Sequence, residues 1–152
     1  FTAVSNITFV NEVHTTAVGT NGVAVGDISI HKVGDTNTVY NIIKAGGNMS
    51  LSCIRKIPAN TNYYITSFTA SAAGNKPAAI RIRSTDHHGA LYDGVNPVYI
   101  FKDAMFLGEG ASGREFNPPI LIPGNTIVKV SVWATQAGIN VAASFNGWYE
   151  AI

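Results

Sequence analysis

The sequence has little cysteine, little charge and no long apolar run. Cys53 is the single cysteine among 152 residues, which excludes an intramolecular disulfide and a paired-thiol metal site. A chain of this length holds a core without cross-links, since it buries roughly two-thirds of the surface that its unfolded form exposes. Because Cys53 lies in the strand-like segment Met49-Ser50-Leu51-Ser52-Cys53-Ile54, we expect a small buried hydrophobe rather than a reactive thiol.

Charge is sparse and balanced. Ten basic residues against nine acidic ones give a net charge of +1, and no run of Lys or Arg forms the patch that nucleic-acid binding needs. We therefore expect no nucleic-acid partner. Only 12% of residues are charged while 46% are hydrophobic, and weak surface charge favours association. The composition therefore predicts burial against other subunits.

Membrane and targeting signals are missing as well. No apolar stretch approaches the ~18 residues of a transmembrane helix, so we expect no membrane partner. The start, Phe1-Thr2-Ala3-Val4-Ser5, lacks the basic and apolar regions of a signal peptide. Because the sequence does not begin with Met, we expect that the chain originally began further upstream.

Short β-rich runs separated by Gly, Asn, Asp and Pro recur along the whole chain. These runs cover residues 7–14, 28–33, 38–43, 49–57, 62–72, 78–84, 98–106, 127–135 and 139–149. The intervening residues supply the positive or fixed φ values that turns require, and no helical periodicity competes. This spacing predicts an all-β fold, an antiparallel two-sheet sandwich of jelly-roll-like type with about eight or nine strands.

Two segments of the chain differ in their content of large apolar side chains. Residues 1–25 contain few of them, which predicts an N-terminal arm or edge strand. From residue 26 to residue 152 the pattern is dense and no Pro/Ser-rich linker interrupts it, which predicts one sandwich domain.

Alternation within two runs predicts which side chains point outward. In Ile80-Arg81-Ile82-Arg83 the isoleucines share one face, and in the run from Val128 to Trp133 the valines oppose Lys129, Ser131 and Trp133. An outward Trp133 is either an interface anchor or sugar platform, or a side chain covered by a loop. Aromatic residues that would form a glycan platform if they share one exposed surface are Trp133, Trp148, Tyr92 and Tyr99.

Catalytic and metal-binding signatures are weak. In Asp86-His87-His88-Gly89 neighbouring imidazoles on a strand would point to opposite faces, and no second ligand cluster completes a metal site. A polar turn is the simpler interpretation. The glycine-rich stretch at 108–113 lacks the context of a phosphate-binding loop and is interpreted as a mobile surface loop. We expect no catalytic residue, metal or cofactor.

Four segments, in their order along the chain, carry a resemblance to a known family. They are IPANTNYYITSFTAS at 57–71, FNPPILIP at 116–123, VKVSVWA at 128–134 and NVAASFNGW at 140–148. Together they resemble the C-terminal domain of a family of tailed-phage virion structural proteins, common among phages of aquatic bacteria, over roughly residues 28–152. The resemblance implies a jelly-roll-like domain on the outer surface of the virion, made in the host cytoplasm, as a capsid decoration (cement) protein or a fibre or spike component. It brings no catalytic residues.

Prolines within these segments have a structural interpretation. Pro58 fixes where the following strand begins, and Pro118 and Pro119 cannot donate ladder hydrogen bonds. The Asn117-Pro118-Pro119 stretch is therefore expected at the edge of a sheet or at a crossing between sheets.

Three functional hypotheses remain. The first is a non-enzymatic decoration protein that binds the major capsid protein or other virion proteins and assembles with itself, with a trimer expected because capsids offer threefold positions. The second is a receptor-binding or glycan-binding domain of a tail fibre, head fibre or spike. The third, a glycan-cleaving enzyme, needs two carboxylates about 5–10 Å apart and is disfavoured because the acidic residues are scattered over turns.

Overall fold

The computed structural model describes residues 9–74, 76–85 and 99–152. These residues form antiparallel strands and no helix, which confirms the all-β prediction. The strands are β1 (Ile28–Lys32), β2 (Asp35–Ile43), β3 (Ile54–Lys56), β4 (Thr61–Ala73), β5 (Ala78–Thr85), β6 (Tyr99–Leu107), β7 (Gly110–Ile122), β8 (Ile127–Ala134) and β9 (Asn140–Ala151). Within this part of the chain, no helix has the length and apolar character to cross a membrane.

The chain divides into two compact units between Ser52 and Cys53. In the first unit β1 and β2 form a hairpin whose tight connection contains Gly34 at a φ of 84°, a backbone conformation that glycine adopts without strain. The segment predicted as an arm is tied to this unit by hydrogen bonds, such as Ser50 N–H to the Val13 carbonyl at 2.8 Å and Ala24 N–H to the Gly47 carbonyl at 3.1 Å. The boundary of the compact unit therefore differs from the one expected near residue 25.

The second unit is a two-sheet sandwich. One sheet has four strands in the order β3-β8-β5-β6 and the other has three in the order β7-β4-β9. Fully buried side chains from both sheets meet between them, including Phe68 and Ile65 of β4 and Ile80 and Ile82 of β5. This common core confirms the antiparallel sandwich, while the jelly-roll arrangement stays a prediction.

One strand contradicts the prediction from sequence. The interpretation of 108–113 as a mobile loop is wrong from Gly110 onward, because β7 begins there and pairs with β4 from Ala72↔Gly110 to Tyr63↔Ile122. Its glycines are poor strand formers, and the pairing with β4 overrides that local preference. β7 lies at the edge of its sheet, which confirms the position expected for Pro118 and Pro119.

Cys53 lies directly before β3, and its carbonyl accepts a hydrogen bond from Val130 N–H at 2.8 Å. The side chain is half-buried, and this burial raises the pKa of the thiol to about 11 from 9.0, although hydrogen bonds from the Val130 and Phe145 backbone oppose the shift. The neutral thiol is therefore the form present at physiological pH, although the side chain is only half-buried where the sequence predicts a buried one.

The raised thiol pKa predicts a loss of stability in alkaline solution. Because the folded state holds the proton more tightly than the unfolded state, this contribution is complete below pH 9.0 and is lost as the pH rises toward about 11. We expect urea denaturation of Cys53→Ala to show a smaller loss over that range than the parent chain. Identical pH profiles for the two proteins would contradict the assignment.

Candidate functional site

The outer face of the four-stranded sheet brings three cations together. Arg81 and Arg83 alternate with buried isoleucines along β5, so both point away from the core, as the sequence predicts. In the pairing of β5 with β8, Arg83 lies opposite Lys129 and Arg81 lies opposite Ser131. We call the surface formed by Arg81, Arg83, Lys129, Tyr99 and Trp133 the basic face.

Aromatic rings lie beside each of these cations. Lys129 Nζ is 3.7 Å from the centre of the Tyr99 ring, and Arg83 Cζ is 5.5 Å from the same ring. Arg81 Cζ is 6.0 Å from the centre of the Trp133 ring. These distances are those of cation–π contacts, which hold the long side chains in place against the sheet.

Two further aromatic side chains, both from β6, lie exposed beside the basic face. Phe101 lies opposite Arg83 and Phe106 lies opposite Ala79 in the pairing of β5 with β6. Their exposed fractions are 58% and 81%, and that of Trp133 is 57%. Three large aromatic side chains on one sheet face, each more than half exposed, are unusual for a surface that meets only water.

The charges of the basic face repel one another. Like charges directly opposite on neighbouring strands destabilise a sheet, and Arg83 and Lys129 form such a pair. Burial lowers the pKa of Lys129, and the nearby Arg83 charge lowers it further. Among the described residues the ion pairs are Lys44 with Asp27 and Arg114 with Asp103, so no carboxylate of this part of the chain neutralises the face.

One polar atom of the basic face also lacks a partner. The Nε atom of Arg83 is buried and has no hydrogen-bond partner within the described part of the chain. A buried donor left without an acceptor costs about 1–3 kcal/mol. An anionic group placed on this face would relieve the repulsion between Arg83 and Lys129.

The outer face of the three-stranded sheet has a different chemistry. Tyr64 of β4 lies opposite Trp148 of β9, and their rings stack with centres 5.4 Å apart and planes 18° apart. Two residues further along each strand, on the same outer face, Asn62 lies opposite Glu150. Glu150 accepts a hydrogen bond from the Tyr64 hydroxyl, and this bond raises the pKa of Tyr64. We call these four residues the aromatic platform.

Small side chains cover the far end of that face. A shallow depression of about 530 Å³ follows the three strands beyond the platform. Its lining consists of Thr69, Ala70, Ser71, Ala111, Ser112, Gly113, Ala142, Ala143 and Ser144. The outer face of this sheet is therefore low beyond the platform and carries only small side chains there.

The aromatic residues that would form a glycan platform if they shared one exposed surface are divided between two faces. Trp133 and Tyr99 lie on the basic face, while Trp148 lies on the outer face of the opposite sheet. Tyr92 lies outside the described residues, as does Asp86-His87-His88-Gly89. In the part of the chain that is described, no group of three or more His, Cys, Asp or Glu side chains is placed to hold a metal ion.

Sequence reasoning missed the residues that complete both surfaces. Arg81, Arg83 and Lys129 were placed outward by alternation, but their approach depends on β5 pairing with β8. Tyr64 was assigned no role, since its contact with Trp148 depends on the pairing of β4 with β9.

Comparison of the chain with protein-family models, curated proteins and solved structures found no match.

Proposed function

We propose that the chain is a non-enzymatic structural protein of a tailed-phage virion, a decoration protein that binds the outer surface of the head through its basic face. One observation carries this proposal. Three cations lie beside exposed aromatic side chains, and no carboxylate among the described residues pairs with them. The family resemblance of the four segments supplies the virion context.

The composition of the basic face suits a protein partner. Arg, Trp, Tyr and Phe are the residue types that protein interfaces favour, and here they share one flat sheet surface. A flat face offers little to a small molecule, which binds in concave pockets. Because the face is cationic, its partner is an acidic patch on the head, and opposite charges would also speed association.

Nucleic acid is a poorer partner for this face. Proteins that bind DNA through its phosphates commonly make about 6–10 cationic contacts. The basic face has three cations, Arg81, Arg83 and Lys129, and the whole chain has a net charge of only +1.

Two carboxylates of the three-stranded sheet, Glu115 and Glu150, lie too far apart to act together in glycoside hydrolysis. Glu115 lies opposite Ser67, and Glu150 lies opposite Asn62 on the other side of β4. Strand geometry places these positions about 15 Å apart along β4. Glycoside hydrolysis needs two carboxylates about 5–10 Å apart, so this pair does not form such a site.

We further propose that the protein assembles with itself, as a trimer on threefold or quasi-threefold positions of the head. The exposed apolar side chains outside the basic face support association, with Val33 at 96% and Leu51 at 91% exposure. Native mass spectrometry of the purified chain measures this directly. A trimer is expected, and a monomer at all concentrations would contradict it.

The alternative function is a glycan-binding domain of a tail fibre, head fibre or spike. The stacked Tyr64 and Trp148 rings favour it, because exposed aromatic rings are common sugar-binding surfaces. The two functions differ in the position of the protein on the virion.

Co-sedimentation with phage heads tests the decoration role. Purified chain is added to heads that lack it, and the bound copies are counted after sedimentation at increasing NaCl. We expect saturable binding that weakens as salt screens the basic face. Absence of binding to heads at low salt would contradict the proposal.

A further inference from the structure

Trp148 stands at the edge of its sheet with one ring face available. β9 is an edge strand, and Tyr64 on the neighbouring β4 stacks against one face of the indole. On the other flank of β4, Leu121 lies opposite Tyr64, so Leu121 and Trp148 are the two ends of this row. The side chain of Trp148 is 48% exposed, although its ring is held in a fixed plane by the stack.

Polar groups lie next to this ring on the same face. Glu150 is two residues from Trp148 along β9, and it lies opposite Asn62. Both residues lie one outward position along the strands from the Tyr64–Trp148 pair, and the interaction with Glu150 raises the pKa of Tyr64. These contacts position a carboxylate, an amide and a phenol beside the ring before any ligand arrives.

We propose that the aromatic platform binds a neutral carbohydrate chain, with one pyranose ring stacked on Trp148 and its hydroxyl groups bound by Glu150 and Asn62. The axial hydrogens of a pyranose present an apolar surface to the indole, while its equatorial hydroxyls need acceptors and donors at the rim. Glu150 is the only charged side chain of the platform, and it disfavours acidic sugars.

The shallow depression lies along the same three strands. Its lining residues are all small, and four of them bear hydroxyl groups, namely Thr69, Ser71, Ser112 and Ser144. A linear oligosaccharide anchored on Trp148 therefore has room to continue along the sheet. This carbohydrate site is on the opposite side of the sandwich from the basic face, so it does not depend on the decoration role.

Titration of the isolated full chain with four neutral tetrasaccharides tests the proposal. Cellotetraose, mannotetraose, maltotetraose and tetra-N-acetylchitotetraose are added up to about 10 mM while tryptophan fluorescence and saturation-transfer NMR are recorded. We expect at least one of them to saturate the protein with a Kd of about 0.1–1 mM. No saturable binding of any of the four would overturn the proposal.

Variants then locate the bound sugar. Trp148→Ala is expected to weaken binding about tenfold or more, and Trp148→Phe, which keeps an aromatic ring, to weaken it less. Glu150→Gln leaves the stack in place and is expected to weaken binding about threefold to tenfold through the lost charged acceptor. Trp133→Ala, on the opposite sheet, is the matched control and should bind like the parent chain. Equal weakening by Trp133→Ala and Trp148→Ala would refute the assignment.

Discussion

Replacing Lys129 by glutamate is expected to weaken binding to phage heads strongly while the sandwich remains folded. The reversed charge presents a carboxylate to an acidic partner, and like charges brought together at an interface cost several kcal/mol. A loss of about 100-fold in affinity is expected. Co-sedimentation with heads measures it.

The fold of this variant should not suffer. The introduced carboxylate would lie directly opposite Arg83, so a repulsive cross-strand pair becomes an attractive one. The lost cation–π contact with Tyr99 offsets part of that gain. We expect the free energy of unfolding to stay within about 1 kcal/mol of the parent value.

Lys32→Glu is the matched control for Lys129→Glu. Lys32 is an exposed lysine at the end of β1, outside the basic face, and its replacement makes the same change in net charge. It should leave head binding nearly unchanged. If both variants lose affinity equally, net charge rather than the basic face governs binding, and the proposed docking surface is wrong.

Replacing Gly147 by alanine is expected to cost about 3 kcal/mol or more of unfolding free energy. Gly147 of β9 lies opposite Ile65, where the pairing shifts between Ile65 and Ser67 of β4. A Cβ atom at Gly147 would overlap the Tyr64 carbonyl oxygen and lie 2.8 Å from its carbonyl carbon. Backbone atoms in the middle of a sheet cannot move aside easily, so the two strands must separate.

Gly108→Ala is the control for this effect. A Cβ at Gly108 meets nothing within 4 Å, and its φ is not positive. Urea denaturation should therefore give nearly the parent stability for Gly108→Ala and a much lower midpoint for Gly147→Ala. Equal midpoints would show that β4 and β9 do not approach as closely as the structure has them.

Local sequence pattern was sufficient for much of the sandwich. Along β5, alternation of isoleucines and arginines identified the buried and outward faces, because the side-chain period of a strand is two. In β8 it placed Lys129 and Trp133 outward, but Val132, expected on the buried face, is 46% exposed. Pro118 and Pro119 likewise indicated an edge, since their missing donors exclude a central strand.

Long-range pairing determined the features that the sequence did not reveal. Strict alternation along β4 would place Phe68 on the same face as Tyr64, yet Phe68 is fully buried while Tyr64 points outward. The register shift between Ile65 and Ser67 inserts the extra residue that reverses the faces. Such an irregularity arises from the partner strands and leaves no local signal in β4.

The two surfaces were hidden for the same reason. Arg83 approaches Lys129, and Tyr64 approaches Trp148, only because particular strands are neighbours in particular registers. The number of possible strand orders grows quickly with strand number, and composition does not choose among them. The sequence named aromatic residues as candidates, but it did not show which of them share a face.

Cryo-electron microscopy of the virion that contains this chain tests the decoration role most directly. The account predicts density for the sandwich spread regularly over the head, around threefold or quasi-threefold positions, with Arg81, Arg83 and Lys129 turned toward the shell. Density confined to the tail or the fibre tips, or a basic face turned toward solvent on the head, would contradict it.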